Sequence, residues 1–426
     1  MADLAYPGSH NIQRQQLTNG ITALVYENFA SQSVVINGIL PAGSIVEPRS
    51  QAGLASFTTS MLMRGVQARD FAAIYEALES VGAGLEFSNG RHAIEFAAQS
   101  LVEDLDLVLE LIAQSLRTPT FPVPQVELVR GQIMTSLQIR ANDTTRMAGL
   151  AFHDLLYPNH PYGQSIQGYF DTIPHLTRQD MADYHTDHFG PRGMIIGVVG
   201  AIKAETAIVK LEATLGDWIN PTQKSTPSAP DAFRPPHRLR QHVPIPDKRQ
   251  ADIVLGLPGP LRAAPDYLDA KLMNTILGVF GMMGRIGENV REKQGLAYYA
   301  YSQLQASIGP SPWYAGAGVS PENIDKAIQS ILHEIDRIQN EPVPTAELAD
   351  SQAYITGSMP VGLETNSGLV NAITDMEYYN LGLDYLQNYP DLIQAITPER
   401  VQAAAQKYLS TEQIAIAVAG TVNGEQ

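Results

Sequence analysis

Two side chains, Arg291 and Tyr298, have the types and the spacing to act together on a carbonyl group. They lie seven residues apart, with Gly295 between them. Arginine offers a rigid fork of donors and tyrosine a phenolic donor. Two donors that converge on a peptide carbonyl hold it and stabilise the developing oxyanion, which is worth about 3–4 kcal/mol per donor. The spacing alone nevertheless favours a plainer interpretation, in which a surface arginine pairs with Glu288 and the tyrosine packs in a sheet.

A helix, a glycine turn and a strand must position this pair. The pattern predicts the last turns of a helix over Asn289–Gln294, a left-handed terminator at Gly295, and a strand over Leu296–Tyr301. A helix end and the strand that follows it can bring both side chains to one side. Alternation along the strand places its other two tyrosines, Tyr299 and Tyr301, on the opposite face, where we expect core or interface positions.

Composition limits the class of protein. The length of 426 residues predicts two domains of about 200 residues each. A net charge of −16 argues against nucleic acid as a partner, because phosphate binding needs clustered Lys and Arg. The acidity indicates solubility first, with a preference for basic peptides as the alternative. The absence of cysteine excludes disulfides and thiolate metal sites.

Targeting signals are not visible in the chain. No run of eighteen apolar residues is present, so the sequence predicts no membrane association. The N-terminus lacks a basic stretch followed by an apolar one, so we expect a cytoplasmic protein. A periplasmic location stays open for a chain whose leader has been removed.

The two halves of the chain repeat each other. Val123–Leu128 returns as Val343–Leu348, with 344 − 124 = 220 between the prolines. Leu176–Asp180 returns as Ile396–Arg400, with 397 − 177 = 220 between the threonines. A constant offset predicts two domains of one fold.

Seven prolines between residues 220 and 248 forbid a helix there and favour an extended linker. We therefore expect an N-terminal domain at 1–220, a linker at 221–248 and a C-terminal domain at 249–426. Hairpin-like strand runs mixed with helices predict an α+β fold, in which each domain is a largely antiparallel sheet with helices packed on it.

Individual elements can be placed in the first half. Ile21–Tyr26 and Ser33–Leu40 have the pattern of paired strands. Helical spacing predicts helices over Asp70–Ser80 and Leu101–Leu116. A further helix begins after the cap residue Thr177 and ends near residue 189.

Three motifs together resemble the pitrilysin and mitochondrial-processing-peptidase family of zinc metallopeptidases. The first is Gly53–Gly65, the second is Asn159–Gly163 followed by Gly168, and the third is Val290–Tyr298. The resemblance covers nearly the whole chain, including its duplication. It implies the fold of that family and a role in proteolysis.

The first motif lacks the chemistry of the family. A helix of this type carries His-x-x-Glu-His, in which two His bind one zinc and the Glu activates a water. Those positions are Ser56, Thr59 and Ser60 in this chain. The third ligand of the family, a Glu on a later helix, falls at Ser136, and Glu127 lies too far along the helix to replace it. The chain alone is therefore predicted neither to bind catalytic zinc nor to cleave peptides.

The intact third motif reverses the preference for the plainer interpretation of Arg291 and Tyr298. The resemblance implies that the second half of the family contributes this pair to the active site. Some bacterial members consist of two chains, one with the zinc helix and one with the Arg/Tyr pair, and this chain looks like the second kind. We expect a heterodimer with a homologous His-x-x-Glu-His subunit that holds the zinc, no cofactor in this chain, and peptides as substrates.

Other interpretations remain open. The chain could serve as a non-enzymatic scaffold or as a peptide-binding subunit of a larger complex. It could also form a homodimer when alone, and an active homodimer would require unorthodox zinc ligands near Ser56.

A candidate substrate strand occupies Gly82–Asn89, where the family presents an exposed edge strand. An extended peptide could add to Gly84, Leu85, Glu86 and Phe87 through main-chain hydrogen bonds. An ordinary protected edge strand explains the same residues equally well.

Two further patterns carry little weight. His185 and His188 are spaced i, i+3 on a helix, but without a third ligand such a pair is usually solvated or capping. Gly278, Gly281 and Gly284 do not follow a strand as a dinucleotide motif requires, so they indicate tight turns instead.

Overall fold

The computed structural model describes residues 6–421, which form eleven strands and fourteen α-helices. The strands are β1 (Ile12–Gln16), β2 (Thr22–Glu27), β3 (Ser33–Leu40), β4 (Gly84–Asn89), β5 (Ile94–Leu101), β6 (Ile195–Gly200), β7 (Leu239–Pro244), β8 (Ala251–Pro258), β9 (Ala297–Leu304), β10 (Pro312–Val319) and β11 (Ala415–Gly420).

The helices follow the same chain order. They are α1 (Leu54–Met61), α2 (Phe71–Ser80), α3 (Leu105–Arg117), α4 (Val123–Ala141), α5 (Thr144–Leu156), α6 (Arg178–His188), α7 (Ala204–Leu215), α8 (Tyr267–Gly278), the kinked α9 (Phe280–Gly287), α10 (Ile324–Asn340), α11 (Thr345–Gly362), α12 (Asn366–Tyr378), α13 (Tyr385–Gln394) and α14 (Pro398–Tyr408). A π-helical turn spans Glu288–Lys293. No helix among residues 6–421 is both long enough and apolar enough to cross a membrane.

The first sheet has six strands in the order β1-β2-β6-β3-β5-β4. Its neighbours are antiparallel except for β2 and β6, which run parallel. The strands predicted over 21–26 and 33–40 are both present, but the prediction that they pair with each other was wrong. β6 lies between them because its all-apolar sequence needs burial on both sides.

The second sheet repeats this topology with the order β7-β11-β8-β10-β9. β7 and β2 are 239 − 22 = 217 residues apart, and β11 and β6 are 415 − 195 = 220 residues apart. β7 and β11 again form the parallel pair, and the other neighbours are antiparallel. The predicted α+β fold, duplicated and largely antiparallel, is confirmed.

The chain forms two compact units that do not coincide with its two halves. The first contains residues 6–135, Ser165–Pro227 and Pro360–Asn388. The second contains Ser136–Gln164, Ser228–Met359 and residues 389–421. Each sheet is thus covered on one face by a helix from the other half of the sequence. In the first unit α12 packs on β3 and β6, and in the second α5 packs on β8 and β11.

The close fit of α12 depends on one glycine. A Cβ at Gly197 of β6 would lie 2.6 Å from Cγ2 of Thr374 and 2.8 Å from Cγ2 of Val370, both on α12. The Asn37 side-chain amide of β3 also donates to the Asn371 side chain at 3.1 Å. The absence of a Cβ at Gly197 allows α12 to approach the sheet closely, and the hydrogen bond between Asn37 and Asn371 holds it there.

Two boundary predictions need correction. The helix predicted over Leu101–Leu116 begins only at Leu105, because Leu101 ends β5 and a 3-10 turn follows. The proline-rich segment contains no helix, as expected, but the linker predicted at 221–248 includes β7, which belongs to the second sheet. The helix after Thr177 is confirmed, with a capping box between Thr177 and Asp180. The domain limits at 220 and 249 stay predictions.

Candidate functional site

The π-helical turn that carries Arg291 is tied to the neighbouring helix α10. The Asn289 amide donates to Glu334 at 2.5 Å, and the Gln294 amide donates both to Asn289 at 2.8 Å and to the Ser330 hydroxyl at 2.9 Å. Glu334 is itself buried and accepts from Arg337 at 2.7 Å. These bonds fix the backbone from which the Arg291 side chain projects.

A left-handed glycine then directs the chain into β9. Gly295 has φ = +61°, and its amide donates to the Arg291 carbonyl at 3.0 Å. The Leu296 amide donates to the Val290 carbonyl at 2.9 Å. This is the predicted helix end, and the turn holds Arg291 and the start of β9 in a fixed relation.

Tyr298 lies at a bulge on the free edge of the second sheet. Ala297 pairs with Val319 and Tyr299 pairs with Gly318, so Tyr298 is the extra residue between them. A bulge of this kind re-aims a side chain and is frequent beside active sites. Tyr298 is 69% exposed. The two other tyrosines of the strand are half-buried, and the Tyr299 hydroxyl donates to Asp252.

Neither part of the plainer interpretation is observed. Glu288 pairs with Lys293 at 2.8 Å rather than with Arg291. The Arg291 guanidinium, 36% exposed, makes only a 3.6 Å contact with Glu292 within residues 6–421. The Tyr298 hydroxyl has no hydrogen-bond partner among residues 6–421, and its ring is exposed rather than packed in the sheet. Both groups therefore keep their donors available to an external acceptor.

The glycines before this turn form a strained loop, as the sequence indicates. Gly281, Met283 and Gly284 all have positive φ, at 63°, 71° and 65°. A Cβ at Gly284 would lie 2.5 Å from the backbone of Leu277, so only glycine fits there. The loop turns the chain sharply between α8 and the π-helical turn.

The residues of α1 do not fit a zinc ion. The Thr59 hydroxyl is buried and donates to the Ala55 carbonyl at 2.8 Å, and the Ser60 hydroxyl donates to the Ser56 carbonyl at 2.9 Å. Both hydroxyls thus satisfy their own helix. Ser136, at the remaining degenerate position, lies on α4. No group of three or more potential metal ligands occurs within residues 6–421.

The other charged residues of α4 are engaged elsewhere. Glu127 forms an ion pair with Arg130 at 3.2 Å. The Arg130 guanidinium lies 5.3 Å from the ring centre of Phe57 on α1 and donates to the Ile173 carbonyl at 2.5 Å. A cation therefore lies beside α1.

Glu47 caps α1, a role that the sequence did not reveal. α1 begins after Gly53, which has φ = +99° and no side chain to cap the helix. The buried Glu47 carboxylate supplies the cap, because it accepts from the Gly53 amide at 3.0 Å and from the Ala55 amide. Burial raises the pKa of Glu47 to about 7, and the two amide hydrogen bonds oppose this shift. The available signal was a helix that starts at glycine without a Ser, Thr, Asp or Asn cap.

The candidate substrate strand is an edge strand. Within the described residues β4 pairs only with β5, and α1 packs beside it. Gly84 and Glu86 are exposed, Phe87 is half-buried and Leu85 is buried. The open side of β4 can accept an added strand, whereas its role in substrate binding stays a prediction.

The remaining candidates have structural roles. The His185 ring bonds the Leu116 carbonyl at 2.8 Å, and burial lowers its pKa and that of His188. In the Asn159–Gly163 motif, the His160 ring accepts from the Tyr162 amide at 3.0 Å and contacts the Pro230 carbonyl at 3.0 Å. His160 therefore organises its own loop.

The fold and this site define a class of protein, the two-domain peptidase-like chains with a duplicated sheet. Residues 23–168 match the family described as Insulinase (Peptidase family M16), and residues 175–354 match the Peptidase M16 inactive domain. Together the matches cover most of the sequence. The chain belongs to peptidase family M16.

Relatives span nearly the same length. An uncharacterized zinc protease of Mycobacterium leprae is 23% identical over 402 residues, which cover 94% of this chain and 90% of the relative. The mitochondrial-processing peptidase subunit beta of Saccharomyces cerevisiae is 22% identical over 84% of this chain and 80% of its own length.

A similar solved structure is a peptidase M16 inactive domain from Pseudomonas fluorescens. Its TM-score is 0.89 and its identity 25%, with coverage of 98% of this chain and 100% of that one. A protease from Helicobacter pylori has the same fold, with a TM-score of 0.90 at 17% identity and coverage of 97% and 100%.

Proposed function

We propose that this chain is the zinc-free subunit of a heterodimeric metallopeptidase and supplies Arg291 and Tyr298 to the active site of its partner. The partner is a homologous chain with His-x-x-Glu-His, which holds the zinc and activates the water. The observation that carries the proposal is the combination of two exposed donors, free of strong internal contacts within residues 6–421, with an α1 in which the Thr59 and Ser60 hydroxyls donate to carbonyls of their own helix.

The residues of this chain have a defined task in such a site. The zinc of the partner would polarise the scissile carbonyl and activate water. Arg291 and Tyr298 would donate hydrogen bonds to the carbonyl oxygen as negative charge develops on it. The π-helical turn and the bulge fix the backbone from which both donors project.

The direct test is reconstitution. The purified chain is expected to contain no stoichiometric zinc by elemental analysis and to be inactive towards an unstructured peptide. Mixing it with the His-x-x-Glu-His subunit is expected to produce activity that neither chain shows alone. A stable but inactive mixture would favour the scaffold interpretation, and stoichiometric zinc in the single chain would favour an active homodimer.

A conservative substitution tests the tyrosine. Tyr298→Phe removes one hydroxyl that has no partner within residues 6–421, so the free energy of unfolding should change by less than about 0.5 kcal/mol. Loss of one oxyanion donor should lower kcat of the reconstituted enzyme by about 100-fold or more. The matched control is Tyr314→Phe on β10, whose hydroxyl donates to Gln303 at 2.6 Å. Equal kcat in the wild type and Tyr298→Phe would remove Tyr298 from the mechanism.

A further inference from the structure

The outer edge of β7 is open where the first sheet has an additional strand. β2 lies between β1 and β6, whereas its counterpart β7 pairs with β11 alone among residues 6–421. The residues that correspond to β1 are 12 + 217 = 229 to 16 + 217 = 233, and they belong to no strand. Pro230 lies among them and cannot donate to a ladder. The duplicated fold therefore has a six-stranded sheet in one unit and a five-stranded sheet in the other.

The main-chain hydrogen bonds show which groups this open edge presents. The amide of Leu239 donates to the carbonyl of Ile414, just before β11, and the amide of Ile245 donates to the carbonyl of Gly420, at the end of β11. Alternate residues of a strand direct their main-chain groups to opposite sides. Arg240 and His242 therefore direct theirs outward, and within residues 6–421 these groups have no main-chain partner. Pro244 follows at the next outward position and ends the open stretch.

The first sheet shows how such an edge is filled. The amide of Thr22 donates to the Met194 carbonyl, so β2 directs Ala23 and Val25 outward. These two residues pair with Gln15 and Gln13 of the antiparallel β1. With the offset of 217, Ala23 corresponds to Arg240 and Val25 to His242. The missing strand is thus an antiparallel one centred on these two residues.

Charge indicates the chemistry of the occupant. Residues 234–249 contain five Lys or Arg and one Asp, in a chain whose net charge is −16. Arg240 and His242 line a groove of about 930 Å³, and the acidic side chains in its lining are Glu322 and Asp325. Arg240 pairs with Asp325 at 2.7 Å, but both side chains are at least half exposed. A surface pair of this kind contributes about 1 kcal/mol or less, so another carboxylate can replace Asp325.

We propose that β7 binds an extended acidic segment of a partner polypeptide as an antiparallel sixth strand. Arg240 and His242 exchange main-chain hydrogen bonds with the segment, and its carboxylates meet the basic residues of 234–249. Main-chain pairing supplies affinity and the charges supply selectivity. β9, with Tyr298, is the opposite edge of the same sheet, about 19 Å away at four strand spacings. The surface is therefore separate from the proposed catalytic pair and does not depend on it.

The test uses a labelled ten-residue peptide of alternating Val and Glu, with blocked ends, and fluorescence anisotropy on the full chain at pH 7.5. We expect saturable binding that weakens with salt. His242→Pro removes the outward amide without touching the bonds to β11, and it should weaken binding at least tenfold. His242→Ala is the matched control, because both variants lose the contact of the His242 ring with the Gly420 carbonyl at 3.2 Å. His242→Ala should bind like the wild type.

A second measurement does not depend on the folding of any variant. The same peptide with alternate main-chain nitrogens methylated should fail to bind the wild type, because it cannot donate to the edge. Equal binding of a Val–Lys peptide would overturn the charge argument, and equal loss in His242→Ala and His242→Pro would overturn the main-chain pairing. Dimerisation of the chain that His242→Pro abolishes would overturn the proposal as well, since the edge would then belong to a contact between copies.

Discussion

Arg291→Ala should lower kcat of the reconstituted heterodimer by about 100- to 1,000-fold, while the two subunits still assemble. The expected loss follows from removal of a fixed donor to the oxyanion. Assembly and folding should be spared because, in the part of the chain that the structure describes, the guanidinium makes only a 3.6 Å contact with Glu292. Steady-state kinetics on a quenched-fluorescence peptide, with sedimentation to measure assembly, would check both parts.

Two matched variants sharpen this experiment. Lys293→Ala removes a neighbouring cation that pairs with Glu288 at the surface, so it should keep nearly full activity. Arg291→Lys keeps the charge but loses the fork of donors, so its activity should lie between those of the wild type and Arg291→Ala. Full activity in Arg291→Ala would refute the proposed mechanism. It would leave the β7 edge untouched, because peptide binding there is measured without catalysis.

The largest expected effect on stability belongs to Glu47. Glu47→Ala leaves the buried amides of Gly53 and Ala55 without their acceptor, and each unsatisfied group costs about 1–3 kcal/mol. The free energy of unfolding, measured in urea, should therefore fall by about 2–5 kcal/mol. Glu47→Gln keeps one acceptor oxygen and should lose about half as much. Glu79→Gln, on the exposed end of α2, should be neutral.

The same residue gives the stability a defined pH dependence. The pKa of Glu47 is raised from 4.5 to about 7, so between these values the native state keeps a proton that the unfolded state releases. Its contribution to stability is therefore full below about pH 4.5 and is lost as the pH rises to about 7. Buried His92, whose pKa is lowered from 6.5 to about 4, acts in the opposite direction between those values. The difference between the wild type and Glu47→Gln isolates the Glu47 contribution, and an equal pH dependence in the two would contradict it.

The proposed active-site pair could be predicted from the sequence because its signals are local. The helix end, the left-handed Gly295 and the strand after it all follow from neighbouring residues. The bulge at Tyr298 could not be predicted, since it depends on the register of β9 against β10. The cap from Glu47 was missed for a similar reason. The carboxylate of Glu47 lies beside the start of α1 because of how the chain folds between Glu47 and Gly53, and no known capping motif has this spacing.

The order of the strands in the first sheet also could not be predicted from local sequence. The patterns of β2 and β3 correctly predict two strands, and their proximity in sequence suggests a hairpin. β6, which begins at Ile195, separates them in the sheet. The exchange of α5 and α12 was also invisible, because each helix has an ordinary amphipathic sequence that does not specify which sheet it covers. The repeat at an offset of 220 predicted one fold twice, and the structure adds that each sheet is covered on one face by a helix from the other half of the sequence.

That exchange has a consequence for synthesis on the ribosome. The strands of the first sheet are complete once Gly200 has emerged, but α12 ends only at Tyr378, 378 − 200 = 178 residues later. Synthesis proceeds at about 5–20 residues per second, so the face of β3 and β6 that α12 covers stays exposed for about 9–36 s. We therefore expect the nascent chain to recruit chaperones during this interval. Pulse-labelled ribosome complexes halted before and after Tyr378 should differ in protease resistance, and equal resistance would show that the first sheet closes without α12.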